Sequence, residues 1–244
     1  MIYITGDTHG EFRRIIDFCD RVETTRDDVM IILGDAGINF SGYPRDGWKK
    51  QLLARLPLKI FCIHGNHEKR PETIKSYKTT TFHGGTAWYE YDYPNILFAK
   101  DGEIYDFDGK KCIAIGGAYS VDKWYRLQMG YPWFDDEQPS DEIKKYVESQ
   151  LAKNDWKIDV VLSHTLPFEY MPIDLFISGI DQSTVDNSTE HWLSDIEIKL
   201  NYKWWYAGHY HTSRITDKVQ IMFEDIEEFG IHGGLRQSDD TAII

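Results

Sequence analysis

The sequence predicts an α/β fold, and three features of its 244 residues support this class. Short apolar runs rich in β-forming residues alternate with stretches whose apolar residues recur at helical spacing. Each of the first three apolar runs ends in Gly-Asp or His-Gly-Asn. The resulting order of strand, helix, strand, helix and strand is typical of a parallel sheet covered by helices.

The first half of the chain supplies the elements of this parallel sheet. Three strands are predicted, at 1–5, 28–33 and 58–63. Apolar residues at helical spacing predict one helix at 10–23 and a second at about 45–56, which Pro57 closes. The apolar face of the second helix is expected to consist of Trp48, Leu52, Leu53 and Leu56.

The pattern is different in the middle of the chain, 78–118. There, Gly-Gly and Asp-Gly pairs separate short runs in which apolar and polar residues alternate. This pattern predicts an antiparallel section with hairpins. The strands predicted within it are 96–98, 103–107 and 111–115. A helix is then predicted at 140–153, with Ser140 as its N-cap residue.

The last third of the chain repeats the alternation of strand and helix. A strand at 158–162 leads into a loop at 166–190, which is rich in Pro, Asp, Ser and Thr. A helix near 191–200 and a strand at 203–207 follow, and a hairpin is predicted around 217–218.

The chain shows no internal repeat, low-complexity tract or obvious linker. We therefore expect a single domain, 1–244, with loop-rich insertions near 119–140 and 166–190. Each insertion is either a flap that covers a functional site or an ordinary surface loop.

Composition narrows the classes of function. With 27 basic and 40 acidic side chains the formal charge is −13, which disfavours binding to long nucleic acid through many phosphates. No apolar run reaches the roughly 18 residues of a membrane-spanning helix, so no membrane partner is expected. The first residues show no secretory signal, and the three cysteines lie in apolar stretches. These features predict a cytoplasmic protein with reduced, buried thiols.

Metal-seeking side chains follow five of the predicted strands. They occur in Gly6-Asp7-Thr8-His9, Gly34-Asp35, Gly65-Asn66-His67-Glu68, His164 and Gly208-His209-Tyr210-His211. Because ligands gather at the carboxyl ends of strands in open α/β sheets, these segments are expected to meet at one edge. Taken alone, each residue could instead be a turn, cap or surface residue.

The residue types indicate which ions such a site would take. A mixed set of imidazole and oxygen ligands without a thiolate suits Mn, Fe, Zn or Ni. Seven ligands are too many for one open catalytic ion but suit two ions that share a carboxylate. Paired ions can hold the attacking and leaving oxygens of an in-line displacement at phosphorus.

These motifs, in this order, resemble the calcineurin-like metallophosphoesterase superfamily. They span residues 6–211, most of the chain. The resemblance implies a four-layer α/β/β/α sandwich in which two mixed β-sheets are flanked by helices. It also implies a two-metal phosphoesterase that uses Mn or Fe, with Zn or Ni as further possibilities.

The resemblance also implies a role for each matching residue. One metal would be held by Asp7, His9 and His211, and the other by Asn66, His164 and His209. Asp35 would bridge the two metals. His67 would stay off the metals and act on the substrate, either by protonating the leaving oxygen or by stabilising the transition state. Glu68 is either a support for the metal ligands or an acid at a helix start.

The chain departs from the protein Ser/Thr phosphatase branch after Gly34-Asp35. Ile38 stands where that branch has the Asp that orients the catalytic His, and Asn39 stands where it has a phosphate-gripping Arg. Protein phosphatase activity is therefore not expected, and the partner of His67 is left open. Asn39 and Arg126 are candidate substrate contacts; Arg126 either grips a phosphate or packs beneath a loop.

The expected function is metal-dependent hydrolysis of a phosphoester in a small or nucleotide-type molecule. One alternative is a phosphodiesterase or nuclease that acts on cyclic nucleotides or short nucleic acid. Another is a non-catalytic scaffold with the same fold, as in the retromer subunit. The sequence leaves the oligomeric state open.

Overall fold

The computed structural model describes residues 1–176, 179 and 181–230, which form two β-sheets and five α-helices within those ranges. The strands of the first sheet are β1 (Ile2–Thr5), β2 (Val29–Ile32), β3 (Lys59–Cys62), β4 (Tyr77–Phe82), β5 (Gly85–Glu90), β6 (Ile96–Ala99) and β13 (Ile226–Glu228). Those of the second are β7 (Ile104–Phe107), β8 (Lys110–Ile115), β9 (Val160–Ser163), β10 (Trp204–Ala207), β11 (Arg214–Thr216) and β12 (Val219–Ile221). The helices are α1 (Arg13–Val22), α2 (Arg45–Ala54), α3 (Lys123–Met129), α4 (Asp141–Lys153) and α5 (Ser188–Glu197).

Both sheets are mixed. The first has the strand order β13-β1-β2-β3-β6-β5-β4, in which β1, β2, β3 and β6 are parallel and the outer strands pair antiparallel. The second has the order β11-β12-β10-β9-β8-β7, with a parallel centre and an antiparallel strand at each edge. The sequence-based prediction of a parallel section and an antiparallel section is confirmed.

Three apolar clusters hold the layers together. The first lies between the sheets, where Ile31 and Phe61 of one sheet share a cluster with Leu162 and Tyr206 of the other. A second cluster packs α1 and α2 on the outer face of the first sheet, and a third packs α4 and α5 on the second. The chain is thus two mixed β-sheets flanked by helices, as predicted.

Helix α2 differs from its prediction in the face it buries. Trp48 is 64% exposed and Leu52 is 43% exposed, whereas Leu53 is fully buried. Lys50 is buried because its ammonium group forms an ion pair with Glu90, which lies on β5. Periodicity alone could not reveal this polar contact from a distant strand.

Several elements were not predicted. The edge strands β4 and β13 were missed because neither contains a continuous apolar run. In β4 (YKTTTF), most residues are polar and few are buried. Helix α3 lies inside the insertion at 119–140, which was expected to be loop-rich. Helix α5 begins at Ser188, inside the predicted loop at 166–190. Of that loop, residues 177, 178 and 180 lie outside the described part.

Other predictions agree with the structure. Ser140 caps α4, and its hydroxyl accepts a hydrogen bond from the backbone N–H of Ile143. The three cysteines are free and buried. Within the described ranges, no helix is both long enough and apolar enough to span a bilayer.

Candidate metal centre

The two sheets bring the motif-bearing strand ends to one place. The strands β1, β2 and β3 are parallel neighbours in the first sheet, and β9 and β10 are parallel neighbours in the second. Their carboxyl ends are followed by the five motifs that the sequence singled out. Since the sheets pack face to face, the loops after these strands meet across the interface between the sheets.

One group of ligand atoms forms around Asp7. Nε2 of His9 lies 2.8 Å from Nε2 of His211, and Oδ2 of Asp7 lies 3.3 Å from Nε2 of His211 and 3.8 Å from Nε2 of His9. Burial raises the pKa of Asp7, but the imidazoles of His211, His164 and His9 outweigh burial and bring its pKa below the usual value. The Asp7 carboxylate is therefore charged, while two imidazole nitrogens face it.

A second group forms around Asp35. Oδ2 of Asp35 lies 3.8 Å from Nε2 of His164 and 3.9 Å from Nδ1 of His9. Nε2 of His164 also lies 2.7 Å from Oδ1 of Asn66. Ligand atoms of Asp7, Asp35 and His164 all fall within 4.8 Å of one another. Asp35 thus lies between the two groups.

His209 takes a different position from the other predicted ligands. Its backbone N–H donates to Oδ1 of Asp7 at 2.9 Å, and its ring packs 5.0 Å from the ring of His164, centre to centre. Burial lowers the pKa of His209 well below its ordinary value, so the ring is neutral, the state required of a metal ligand. In the described part of the chain, its ring is not among the groups of three acidic or imidazole ligands that converge.

The backbone is unusual at several of these residues. His9, Asp35, His209 and His211 have φ values of +49°, +46°, +68° and +48°. Non-glycine residues adopt this left-handed region at a cost, and such residues cluster at functional sites. Four of the seven predicted ligands therefore hold strained conformations that direct their side chains toward one another.

Glycine is needed beside the ligands because there is no room for a side chain. A Cβ at Gly34, which has φ +101°, would lie 2.0 Å from Nδ1 of His164. A Cβ at Gly65 would lie 2.0 Å from Oδ1 of Asp35. Gly34 and Gly65 therefore let one strand end approach the predicted ligand of another.

We expect Gly65→Ala to lower the free energy of unfolding by about 2–4 kcal/mol, because the new methyl group overlaps buried atoms. Urea denaturation of the metal-free protein measures this change. Gly47→Ala is the matched control, since its Cβ meets Tyr43 at an ordinary 3.5 Å within α2. Equal stability of the Gly65 and Gly47 variants would contradict the close approach.

Asn66 is oriented by a residue that the sequence analysis did not identify. Nδ2 of Asn66 donates to Oγ of Ser120 at 2.8 Å, which turns Oδ1 toward His164. Ser120 is buried, and its backbone N–H donates to the carboxylate of Glu137. The one feature of the sequence that could have indicated this role is the position of Ser120 shortly after Gly116-Gly117.

Ser120→Ala should weaken metal binding about 10–100-fold, since partners that orient a ligand commonly contribute that much to affinity. Titration of the metal-free protein with Mn²⁺, followed by calorimetry, measures the affinity. Ser149→Ala, on the exposed side of α4, is the control. An affinity equal to that of the wild type would show that Ser120 does not orient Asn66.

His67 borders the same centre, where one of its ring nitrogens lies within 4.8 Å of ligand atoms of His9 and Asp35, and it also approaches a further carboxylate. Its backbone N–H donates to Oδ1 of Asp35 at 2.8 Å, and Nε2 of its ring lies 3.8 Å from Oδ1 of Asp122. Burial is the largest influence on His67 and lowers its pKa, which Asp35 and Asp122 partly offset. The ring of His67 lines a cavity beside the centre.

Neither candidate substrate contact lies in the cavity that His67 lines. Asn39 is buried, and its Oδ1 accepts a hydrogen bond from the hydroxyl of Tyr77 at 3.0 Å. Arg126 is 3% exposed, with its Nε 3.8 Å from Oδ2 of Asp122 and its guanidinium above the ring of Phe40. Asp122 thus lies between Arg126 and His67.

Comparison with known proteins identifies the family. The profile of the calcineurin-like phosphoesterases matches residues 1–213. The chain belongs to the calcineurin-like phosphoesterase family. That match includes all seven predicted ligands and His67. A search of curated protein sequences found no match.

Solved structures similar to this phosphoesterase are distant in sequence. One is phosphopantetheinyl hydrolase from Mycobacterium tuberculosis, with 16% identity and a TM-score of 0.48, covering 91% of this chain and 87% of that one. A second is TT1561 from Thermus thermophilus, with 11% identity, a TM-score of 0.48 and the same coverage. A third is a serine/threonine phosphatase from Saccharomyces cerevisiae, with 13% identity and a TM-score of 0.31, covering 91% and 66%.

The donor atoms of this phosphoesterase suit divalent cations. Nδ1 of His164 lies 2.8 Å from the carbonyl oxygen of Leu33, which can only accept, so Nδ1 carries the proton. When the ring is neutral, as a metal ligand must be, Nε2 is an acceptor that faces a second acceptor, Oδ1 of Asn66, at 2.7 Å. The two lone pairs repel each other at this distance, and a cation bound by both atoms would remove that repulsion.

A cavity of about 320 Å³ opens beside this centre. Its floor includes Asp35, Asn66, His67, His209 and His211. Its walls come from the two insertions and are largely apolar: Tyr119, Val121, Met171, Leu175, Phe176 and Val185. The insertions therefore border the centre, and a small organic group fits between them.

Proposed function

We propose that this chain is a metal-dependent phosphoesterase that hydrolyses a small or nucleotide-type phosphoester at a two-metal centre. The observation that carries the proposal is the position of the Asp35 carboxylate between two groups of ligand atoms. Asp7, His9 and His211 would hold one ion, and Asn66, His164 and His209 the other. Mn²⁺ or Fe fits the mixed imidazole and oxygen donors, with Zn²⁺ or Ni²⁺ as further possibilities.

Bound divalent cations supply Lewis acidity toward the phosphoryl oxygens and activate water as a nucleophile. The residues of the chain supply the rest. Asp7 and Asp35 contribute negative charge that attracts the cations, and the left-handed backbones hold the donors in place. His67 lies at the border of this centre, where it can give a proton to the leaving oxygen. The apolar walls exclude water from the organic part of the substrate.

One feature of the cavity favours the alternative of a phosphodiester substrate. Among its described lining residues there is no lysine or arginine, and Asp122 and Glu190 place two carboxyl groups on the wall. A phosphodiester carries one negative charge, whereas a phosphomonoester is mostly doubly charged near neutral pH. With no cationic side chain on the wall, the singly charged ester meets less repulsion.

The test is hydrolysis of p-nitrophenyl phosphate and of bis(p-nitrophenyl) phosphate by protein stripped with EDTA and reloaded with one metal. Activity with Mn²⁺ or Fe²⁺ that EDTA abolishes supports the proposal, and a higher kcat/KM for the diester supports the second candidate. Protein that binds no metal, or that hydrolyses neither ester with Mn²⁺, Fe²⁺, Ni²⁺ or Zn²⁺, would contradict the proposal and favour a non-catalytic scaffold.

A further inference from the structure

An unsatisfied carboxylate faces the ring of His67. The Asp122 side chain is 41% exposed, but its Oδ1 atom is buried without a hydrogen-bond partner and lies 3.8 Å from Nε2 of His67. In the described part of the chain, this is the one carboxylate that approaches a ring nitrogen of His67 within 4.0 Å. A buried polar atom without a partner costs free energy, so its persistence calls for an explanation.

The side chain of Asp122 is not used to cap a helix. Asp122 immediately precedes α3, yet its carboxylate accepts no hydrogen bond from the first turn of that helix. Its backbone carbonyl accepts instead from the N–H of Arg126 at 2.9 Å. The carboxylate is therefore free to face the cavity that His67 also lines.

Arg126 holds Asp122 from the other side. Nε of Arg126 lies 3.8 Å from Oδ2 of Asp122, and Nη1 of Arg126 is buried without a hydrogen-bond partner. The guanidinium lies above the ring of Phe40, 5.3 Å from its centre. The guanidinium of Arg126, the carboxylate of Asp122 and the imidazole of His67 are thus successive neighbours, and His67 borders the candidate metal centre.

Apart from Asp35, which is a predicted metal ligand, the loop after β2 offers the His67 ring no side-chain partner at Ile38 or Asn39. Ile38 is fully buried in the apolar cluster between the first sheet and its helices. The Oδ1 atom of Asn39 is occupied by the hydroxyl of Tyr77. The segment that follows Gly116-Gly117 therefore provides the nearest carboxylate, from a different part of the chain.

We propose that Asp122, held in place by Arg126, is the positioning residue of His67 in the phosphoester hydrolysis proposed above. A carboxylate beside an imidazole fixes the orientation of the ring. One ring nitrogen is turned toward Asp122, and the other is directed at the leaving oxygen. The inference rests on the proposed function, because His67 has a role only if an ester is cleaved.

Leaving-group dependence tests this role. p-Nitrophenolate leaves without a proton, whereas phenolate is a poor leaving group that requires one. For Asp122→Asn we expect kcat to fall roughly 10–100-fold with phenyl esters and much less with p-nitrophenyl esters, while KM and the bound metal stay unchanged. Asp135→Asn, which removes the same charge from an exposed residue of the same insertion, should leave both rates unchanged.

A double-mutant cycle shows whether Asp122 acts through His67. Adding Asp122→Asn to His67→Ala should produce no further loss of kcat, since the residue to be positioned is gone. An additive loss, or an equal loss with both leaving groups, would show that Asp122 contacts substrate directly and would overturn the inference. Wild-type protein inactive on all esters would instead overturn the proposed function, and the inference with it.

Discussion

Replacing Asp35 by asparagine is expected to lower kcat/KM by roughly 10³-fold or more, because the proposed two-metal arrangement depends on this carboxylate. Asp35 is 1% exposed, and its Oδ2 lies within 4 Å of ring nitrogens of both His9 and His164. Asparagine has the same shape but no negative charge. Without the negative charge of Asp35, the repulsion between two bound cations would no longer be offset, and the second cation would bind weakly.

The measurement combines kcat/KM at saturating Mn²⁺ with metal content after gel filtration. We expect the Asp35 variant to retain at most one ion per chain, and Asp20→Asn, an exposed change on α1, to retain the wild-type content. Thermal unfolding of the metal-free proteins shows whether the variant folds. A folded variant with full metal content and wild-type kcat/KM would exclude Asp35 as a shared ligand.

His67→Ala is expected to lower kcat for phenyl phosphate or its diester about 10²–10⁴-fold, the range that general acid catalysis contributes. Metal content should stay unchanged, because the seven predicted ligands remain and His67, although one of its ring nitrogens lies within 4.8 Å of ligand atoms of His9 and Asp35, is not one of them. The loss should be smaller with p-nitrophenyl esters, whose leaving group departs without a proton. The effect therefore appears in kcat and in its dependence on the leaving group.

The comparison requires the same metal loading for both proteins, checked by inductively coupled plasma mass spectrometry. His191→Ala, on the exposed face of α5, controls for the loss of an imidazole. A His67 variant that holds its metal and hydrolyses the phenyl ester at the wild-type rate would refute the role assigned to His67.

The part of the molecule that the sequence predicts best is the part governed by local patterns. The strands that carry the ligands are continuous apolar runs buried on both faces, so they are recognisable without knowledge of the fold. Asp7, Asp35 and Asn66 each follow such a strand beside a glycine, and a parallel sheet places them at the same edge. Spacing and order were enough to predict that these three side chains lie close together.

The residues missed by the sequence analysis act through contacts across the chain. Ser120 orients Asn66 from 54 positions away, and Asp122 approaches His67 from the position just before α3, a helix of seven residues that has no strong pattern. Lys50 is buried against Glu90, a pairing that the helical periodicity of α2 gives no reason to expect. Such contacts depend on how the loops pack, which local patterns do not specify.

Arg126 agrees with the packing alternative and not with a direct grip on phosphate. It packs against Phe40 and lies beside Asp122, but it does not line the cavity. Its position supports an indirect role, through Asp122 and His67, over a direct grip on phosphate. The sequence could place the guanidinium near the site but not its partner.

The most direct test of this account is X-ray diffraction from crystals of the Mn²⁺-loaded protein at the manganese absorption edge. We expect two anomalous peaks about 3.5–4 Å apart, with the carboxylate of Asp35 bound to both. The side chains of Asp7, His9 and His211 should surround one peak, and those of Asn66, His164 and His209 the other. A single peak that Asp35 does not touch, or no peak among these residues, would contradict the two-metal centre.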